Sequence, residues 1–437
     1  MRNKRGYSTI RLFSELQNCT GWKGVISGLV FLCVFLYMTP VNAQQQYITL
    51  GIPTSLNLLE GKEANLAARL AIEEINAKGG VKVGNEKRLL RVESLDIRDG
   101  EPGVPVSEAL LGIEKLILDK KIYASIVGNF RSEALLAALD IYSKYKVINI
   151  ATIAMVPKFE SLVAENPEKY KYSFRMCLDS VNLAKTIQGL MAYIKKDFGY
   201  NKVFIASQDV LWAAGTGSIL EKWFNENGWT VVGFEKYPTG AGDFSAGLMK
   251  AKSGGAQVIV PIFDMPTSGT LLKQWKAMKI PALMAGFISP LIGTQAWNTI
   301  GDDIEGSLNV AFELGHVSIK AYPPSTKLYD AYKKRYKDDM QAGHGVSGAY
   351  EAVYVLANAI EKAGTLDSDK VADIIAKTDM VSSMGRVKFS PGHQLIFTND
   401  PKTGASAAVF QWRKGKRVEV FPEVIADGKI EKPSWMK

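Results

Sequence analysis

The sequence predicts an α/β protein with two doubly wound, Rossmann-like lobes, and three observations support this prediction. Apolar runs recur along the chain as continuous stretches, which is typical of strands buried on both faces of a parallel sheet. Segments with an apolar stripe at helical spacing separate these runs, so strands and helices alternate. More than seven strands of this kind occur, and the sequence changes character near Tyr172. We therefore expect two such domains in one chain.

The first β-α-β unit runs from Ile48 to Asp96. It opens with the strand ITLGIP (Ile48–Pro53) and closes with the strand RLLRVESLD. The helix between them ends at Gly79 and Gly80, which supply the left-handed conformation that commonly terminates helices. Small apolar residues form the stripe of this helix: Ala64, Ala67, Ala68, Ala71, Ile72 and Ile75.

The later apolar runs predict the other strands of the parallel type. These are Ala124–Val127, Val147–Ala151, Lys202–Ala206, Thr230–Phe234, Val258–Ile262, Ala282–Ala285 and Leu308–Ala311. Further helical stripes include Leu183–Ile194, Leu271–Met278 and Val353–Ile360.

The end of the chain differs, because short β-type pieces there are separated by turns at Pro391-Gly392 and Lys414-Gly415. The pieces are Arg386–Phe389, Ala407–Trp412 and Val418–Phe421. A tail of this kind is compatible with a chain that crosses between its domains more than once.

The N-terminus predicts export. Val25–Met38 is an apolar run behind a basic flank, with the length of a signal-peptide core. Small residues precede a cleavage point after Ala43, and the run is shorter than the roughly 20 residues of a membrane span. Cleavage would leave Cys177 as the one cysteine, so the mature chain would hold no internal disulfide. The alternative is that the segment is kept as an uncleaved anchor.

Charge and motifs exclude several classes of function. The net charge of +9 includes five basic residues and one acidic residue before position 44; the remainder holds 48 basic and 43 acidic residues, a net of +5. That balance is too mild to predict nucleic-acid binding. The histidines (His316, His344 and His393) lack metal-ligand spacing, and the sequence has no nucleophile elbow, phosphate-binding loop or cysteine pair. We therefore expect no catalytic set, no metal and no cofactor.

A binding site is predicted beyond the carboxyl ends of the strands, where ligands lie in doubly wound sheets. The strand Ala124–Val127 is followed by Gly128-Asn129-Phe130-Arg131-Ser132 and then by a helix. A helix N-terminus suits a carboxylate ligand, and Arg131 would add a fixed positive charge. Ser132 fits an N-cap, and capping alone is its alternative interpretation. Trp212 and Phe263 also stand near strand ends, where core or rim packing is the alternative.

Several segments, taken in order, resemble the periplasmic binding proteins of branched-chain amino acid ABC importers. Besides the first β-α-β unit, these segments are VGNFRSE (Val127–Glu133), NIATIA (Asn149–Ala154), GDFSAGLMKAK (Gly242–Lys252), MGRVKFSPGHQ (Met384–Gln394) and VFQWRKGKRVEVFPE (Val409–Glu423). The resemblance implies a type I fold, in which three crossing strands join two lobes around a ligand cleft. It places lobe 1 at 47–173 and 314–384 and lobe 2 at 174–313 and 385–437, after a signal peptide at 1–43.

The resemblance also implies ligand contacts. Ser132 matches the hydroxyl that binds a ligand carboxylate in such receptors. Ala151 and Thr152, with Ile153 as a neighbouring candidate, match a loop that supplies a carbonyl and a hydroxyl. Trp212 matches the second-lobe aromatic residue that closes over the ligand.

The resemblance departs at the group that holds the ligand ammonium. Phe263 or Asp264 stands where these receptors have a second aromatic residue. The second-lobe acid expected near Ile288 is missing, and Glu60 or Asp264 is the candidate to replace it. Because a buried ammonium without a carboxylate is costly, this departure favours a planar or apolar organic acid as the ligand.

The leading hypothesis is therefore a monomeric periplasmic receptor that captures a small organic ligand, either an amino acid or a carboxylate-bearing or aromatic compound, and delivers it to the permease of an ABC importer. The second hypothesis is an extracytoplasmic sensor that reports ligand occupancy to a membrane partner. The third, an exported enzyme, lacks a visible catalytic set.

Overall fold

The computed structural model describes residues 47–436, so the predicted signal peptide and its cleavage point lie outside the described residues. A first sheet is built from β1 (Tyr47–Thr54), β2 (Val81–Val83), β3 (Glu86–Asp96), β4 (Ala124–Val127), β5 (Ile148–Ala151) and β6 (Ser173–Arg175). The strand order is β2-β3-β1-β4-β5-β6. All neighbours are parallel except β2 and β3, which form an antiparallel edge.

The second sheet takes its strands from the middle and the end of the chain. Its parallel strands are β7 (Lys202–Gln208), β8 (Thr230–Tyr237), β9 (Val258–Phe263), β10 (Leu283–Ile288) and β11 (Leu308–Ala311). A small hairpin follows, made of β12 (Met380–Ser382) and β13 (Gly385–Val387). The antiparallel strands β14 (Ala408–Arg413) and β15 (Lys416–Phe421) then complete the sheet in the order β15-β14-β11-β10-β9-β7-β8.

Helices connect the strands and cover both sheets. Those of the first part are α1 (Leu59–Ala77), α2 (Val106–Lys120), α3 (Ser132–Tyr145), α4 (Lys158–Glu165) and α5 (Pro167–Tyr170). The second sheet is accompanied by α6 (Ser180–Phe198), α7 (Leu211–Glu226), α8 (Ser245–Ser253), α9 (Gly269–Ala277) and α10 (Ala296–Ile300). The chain then forms α11 (Pro323–Tyr336), α12 (Val346–Ala363) and α13 (Ser368–Ala376). Within 47–436, no helix has the length and apolar character that a membrane crossing requires.

Two hydrophobic cores define two lobes, and the chain passes between them repeatedly. Met176 packs in the core of the first sheet, whereas Leu178 packs in the core of the second. The core of the first sheet also receives α12, and it receives Ala405 near the last crossing, just before Ala407 enters the second core. The first lobe is therefore completed by late parts of the chain.

The predicted secondary structure matches the described elements closely. Each predicted strand overlaps an observed one, whereas the three-residue strands β2, β6 and β12 were not predicted. The predicted lobe ranges stay a prediction. The first core includes Val387 and Leu395, residues that the prediction assigned to lobe 2.

Candidate ligand-binding cleft

A cavity of about 1150 Å³ lies between the lobes. Its walls come from segments that follow strand ends of both sheets, together with the first turn of α1 and the loop before α12. The carboxyl ends of parallel strands thus converge on one space, as the doubly wound architecture requires. Of the predicted site residues, Glu60, Arg131, Ser132, Trp212 and Asp264 line this cavity.

The loop between β4 and α3 is held in an unusual conformation. Val127 and Gly128 adopt φ angles of 74° and 71°. A β-branched residue is strained in this left-handed region, so the surrounding structure must hold it there. The side chain of Asp99 does so, because its Oδ2 accepts the N–H groups of Phe130 (2.8 Å) and Arg131 (3.1 Å).

Asp99 is itself fixed in the interior of the first lobe. It is buried, and its Oδ1 accepts a hydrogen bond from Ser55 Oγ at 2.9 Å. Burial raises the pKa of this carboxyl, and its hydrogen bonds oppose that rise. Sequence reasoning missed Asp99, although it follows the end of β3 just as the 128–132 loop follows β4. The same strand-end rule could have found it.

Ser132 and Arg131 both line the cavity, and neither caps α3 with its side chain. The helix α3 begins at Ser132, so Arg131 is its N-cap residue and the predicted N-cap position of Ser132 was wrong by one residue. No side chain caps this helix. The guanidinium Nη2 of Arg131 donates to the carbonyl of Val104 at 2.7 Å, which ties the charge to the protein backbone.

Ala151 and Thr152 are fully buried and do not line the cavity, whereas the adjacent Ile153 does. The carbonyl of Ala151 accepts the N–H of Met176 at 2.8 Å. The N–H of Thr152 donates to Val127 at 2.9 Å, which joins this loop to the strained turn beside it. Ala151 and Thr152 thus support the residues that line the cleft and do not line it themselves.

The second lobe contributes an aromatic and acidic wall. Trp212 Nε1 donates to Asp264 Oδ2 at 3.0 Å, and the Trp212 ring meets Phe287 edge-on with centroids 6.0 Å apart. Gln208 Oε1 accepts the backbone N–H of Asp264 at 3.1 Å. Phe263 does not line the cavity, because its side chain is buried in the core of the second lobe. The indole of Trp212 is therefore oriented by a carboxylate that also faces the ligand space.

Glu60 reaches across the cleft from the first lobe. Its Oε1 accepts a hydrogen bond from Ser289 Oγ at 2.7 Å, and both side chains are buried. Ser289 directly follows β10, next to the position where the acid near Ile288 was expected and not found. Burial and, secondarily, the charge of Glu60 raise the pKa of Asp264 to about 6.

A second acid supports the loop before α12. Glu63 accepts the N–H groups of Gln341 (3.0 Å) and Ala342 (2.9 Å), and burial raises its pKa to about 7. His344 lines the cavity from this loop, and burial lowers its pKa. The loop also meets the second lobe, where Gln295 N–H donates to Gln341 Oε1 at 3.1 Å.

The cleft therefore offers hydrogen-bond donors, carboxylates and aromatic surface drawn from both lobes, a combination that fits capture of a small polar organic molecule. Within residues 47–436, no group of three or more His, Cys, Asp or Glu side chains has the arrangement of a metal site.

Comparison with known proteins gives one matching family and several relatives. The family model for periplasmic binding proteins matches residues 55–417. The chain is similar to the leucine-, isoleucine-, valine-, threonine- and alanine-binding protein of Pseudomonas aeruginosa, with 29% identity over 369 residues. That alignment covers 82% of this chain and 88% of the relative.

Solved structures share the fold at lower identity. One is a branched-chain amino acid transporter substrate-binding protein from Streptococcus pneumoniae in complex with isoleucine. It has a TM-score of 0.67 and 21% identity, and the match covers 85% of this chain and 98% of that chain. Another is an ABC transporter solute-binding protein from Rhodopseudomonas palustris in complex with 3,4-dihydroxybenzoic acid. Its TM-score is 0.68 at 17% identity, with 88% and 98% covered. These likenesses confirm the two-lobed α/β fold predicted from the sequence.

Proposed function

Because this chain belongs to the periplasmic binding protein family, we propose that it captures a small organic ligand between its lobes and delivers it to an ABC importer. The family to which it belongs serves solute binding for ABC transporters rather than catalysis. Beyond membership of this family, we propose the class of ligand and its delivery to an importer.

The single observation that carries the proposal is a cavity whose polar groups come from both lobes. A ligand that contacts both walls binds the closed arrangement more tightly than an open one, so it shifts the population towards closure. Closure is then the signal that a permease reads. The repeated passage of the chain between the two cores provides the segments about which the lobes would rotate.

Within the cleft, we place a polar end of the ligand at the start of α3. Ser132 and Glu133, the first two residues of this helix, line the cavity, and a helix N-terminus favours a negative partial charge. The body of the ligand would lie against Trp212, whose ring supplies a large apolar contact. The isoleucine and dihydroxybenzoic acid of the two related structures both combine a carboxylate with an apolar body, which supports this placement.

The partners follow from the same proposal. We expect a monomer in the periplasm, exported by a leader cleaved after Ala43, and a permease in the inner membrane as its docking partner. A sensor that signals to a different membrane partner would use the same cleft. To distinguish transport from sensing, uptake of the bound compound is measured in cells with and without the gene.

Calorimetry and thermal unfolding with a broad set of amino acids, amides and aromatic acids provide the direct test. At least one compound should raise the melting temperature and bind with one-to-one stoichiometry. Small-angle scattering should then show a smaller radius of gyration with that compound bound. A protein that binds none of these compounds would remove the proposed function.

A further inference from the structure

The cavity extends beyond the region that the proposed function uses. That region lies at the start of α3 and at Trp212, whereas the lining also follows α1 from Leu59 through Glu63 to Leu66. At a rise of about 1.5 Å per residue, Leu59 and Leu66 are about 10 Å apart along the helix. The volume of about 1150 Å³ also exceeds the roughly 300–1,000 Å³ that is usual for pockets that hold drug-sized molecules. The space is therefore larger than a single amino acid requires.

An aromatic wall stands beside the far part of this space. Tyr332 and Tyr336, one turn apart on α11, both line the cavity, and their ring centroids are 4.9 Å apart. The hydroxyl of Tyr336 donates to the Leu66 carbonyl at 2.7 Å. The guanidinium of Arg335 lies 5.1 Å from the centre of the Tyr336 ring and is itself paired with Glu73. Both the ring and the hydroxyl of Tyr336 are therefore held by the protein.

Polar contacts between the lobes place α10 opposite this wall. Thr294 Oγ1 donates to Asp339 Oδ2 at 2.8 Å, and the Gln295 N–H donates to Gln341 Oε1 at 3.1 Å. The side chain of Gln295 also donates to Asp338 Oδ1 at 3.2 Å. Each contact links the segment before α10, in the second lobe, to the loop after α11, in the first. The two lobes are therefore held together at this end of the cleft.

The second lobe supplies the opposite side of the same space. Ala296 and Thr299, three residues apart on α10, line the cavity, and so does Pro290, shortly after β10. Residues of both lobes thus bound one space, the far chamber, and they are Leu66, Tyr332, Tyr336, Pro290, Ala296 and Thr299.

The far chamber favours an aromatic or aliphatic group. It presents two tyrosine rings and three aliphatic side chains, and an aromatic group placed there would gain edge-to-face or offset contacts with the rings. The carboxylates at its border are already engaged. Glu63 accepts the N–H groups of Gln341 and Ala342, and Asp338 accepts from Gln295. The border therefore does not require a charged group on the ligand.

We propose that the far chamber binds an aromatic group at the second end of an elongated ligand, whose polar end lies at the start of α3. This inference rests on the proposed function, since it names the class of ligand that the same cleft captures. Such a ligand has about the length of a dipeptide or of a long-chain phenyl-substituted acid. A single amino acid would leave the tyrosine wall to water, so the cleft selects for length.

Calorimetry on the purified protein compares a short and a long compound in each of two pairs. The first pair is phenylacetate and 5-phenylpentanoate, and the second is L-leucine and L-phenylalanyl-L-leucine. Each long compound keeps the carboxylate and carries a phenyl group farther from it. In at least one pair, the long compound should bind at least ~10-fold more tightly, because its phenyl group gains apolar contacts in the far chamber.

A substitution that fills the far chamber separates this contact from general hydrophobicity. Thr299→Trp places an indole in the lining, so it should weaken binding of the long compound at least ~10-fold and leave the short one within about 3-fold. Asn298→Trp is the matched control, because Asn298 is exposed on the same helix and lies outside the lining. It should bind both compounds as the unmodified protein does.

Loss of the aromatic wall gives a second measure. Tyr336→Leu should weaken binding of the long compound roughly 3-fold or more and leave the short one unchanged. Tyr145→Leu is the matched control, because Tyr145 is also partly buried, donates its hydroxyl to Glu114 at 3.0 Å and has Lys144 over its ring. It lies outside the cavity lining, so its substitution should not change the affinity of either compound.

The outcomes separate the inference from the function on which it rests. If a short compound, or any member of the broad panel, binds as tightly as the long compounds, the length inference is wrong and the receptor function stands. The same holds if Thr299→Trp and Tyr336→Leu, each shown to be folded by thermal unfolding, bind the long compound normally. If no compound of either pair or of the broad panel binds, the receptor function fails and the inference falls with it. The comparison of compounds needs no variant, so a misfolded substitution leaves the decision intact.

Discussion

The two walls of the cleft are built differently. The first-lobe wall consists of Glu60, Glu63, the 128–132 loop and the loop before α12, and it depends on carboxylates that hold backbone N–H groups. The second-lobe wall consists of Gln208, Trp212, Asp264 and Ser289. Its Trp212 donates to the Asp264 side chain, Ser289 donates to Glu60 across the cleft, and Gln208 alone accepts a backbone N–H, that of Asp264. The first wall therefore depends mainly on side chains that fix backbone loops, and the second mainly on contacts between side chains.

This difference indicates which wall should tolerate change. A buried backbone N–H that loses its acceptor finds few other partners. Substitutions of the carboxylates in the first wall should therefore lower the free energy of unfolding of the whole lobe. Side chains on the second wall can change with the ligand while the fold persists. Among relatives with different ligands, we therefore expect more residue differences on the second wall than on the first.

The largest effect should come from Asp99. Asp99→Ala removes the acceptor for two partly buried backbone N–H groups and releases the strained turn at Val127, so we expect the free energy of unfolding to fall by about 2–4 kcal/mol. Urea denaturation measures this. Asp99→Asn keeps one acceptor oxygen and should lose less, while exposed Asp330→Ala should change stability by less than about 0.5 kcal/mol. Equal stabilities for all three would show that the loop holds its shape without Asp99.

The pH dependence of stability should single out Glu63. Its pKa is raised from 4.5 to about 7, so the unfolded chain releases its proton at lower pH than the folded protein does. The folded state is thus favoured by this group below pH 4.5, and that contribution is lost as the pH rises to 7, by up to about 3 kcal/mol. Glu63→Gln should be less sensitive to pH over this window when unfolding is followed in urea.

The control for Glu63 is Glu226→Gln, an exposed position whose removal should leave the pH profile of the unmodified protein unchanged. If the free energy of unfolding changed with pH in the same way for Glu63→Gln and the unmodified protein, Glu63 would not hold a proton in the folded state over this pH range.

On the second wall, Trp212→Ala should weaken ligand binding by about 1–3 kcal/mol through loss of a buried aromatic contact. The free energy of unfolding should change by less than the free energy of binding does, because the ring of Trp212 lines the cleft and contacts Phe287 only at its edge. Trp223→Ala, on the same helix but outside the cavity lining, should leave affinity unchanged in calorimetry. Unchanged affinity for Trp212→Ala would remove this residue from the site.

The sequence predicted the two walls unequally well. Ser132 and Arg131 were found because a buried strand, a glycine turn and a helix start are adjacent in the sequence, so their geometry is local. Trp212 was likewise near a strand end. Phe263 was misjudged in placement, because β9 is buried along its whole length up to Phe263, and the cavity lining begins only at the next residue, Asp264.

Contacts between distant segments were beyond such reasoning. Glu60 and Ser289 are 229 residues apart, and nothing in either neighbourhood indicates that they meet. The hold of Glu63 on Gln341 is of the same kind. The sequence showed that the acid expected near Ile288 is missing. Only the tertiary structure showed that α1 approaches the end of β10 and brings Glu60 to Ser289. Local patterns therefore predicted the scaffold and a few of its loop residues, while the electrostatics of the cleft depended on the tertiary fold.

The smallest predicted effect lies where the two walls meet. Ser289→Ala removes the hydroxyl that donates to Glu60 across the cleft, at a net cost of about 1 kcal/mol to the closed arrangement. Ligand affinity should therefore fall by roughly 3- to 5-fold, with no change in the unfolding of either lobe. Ser218→Ala, exposed on α7, is the control. If Ser289→Ala instead lowers stability as much as Asp99→Ala does, the second wall shares the structural role of the first and the contrast between them is lost.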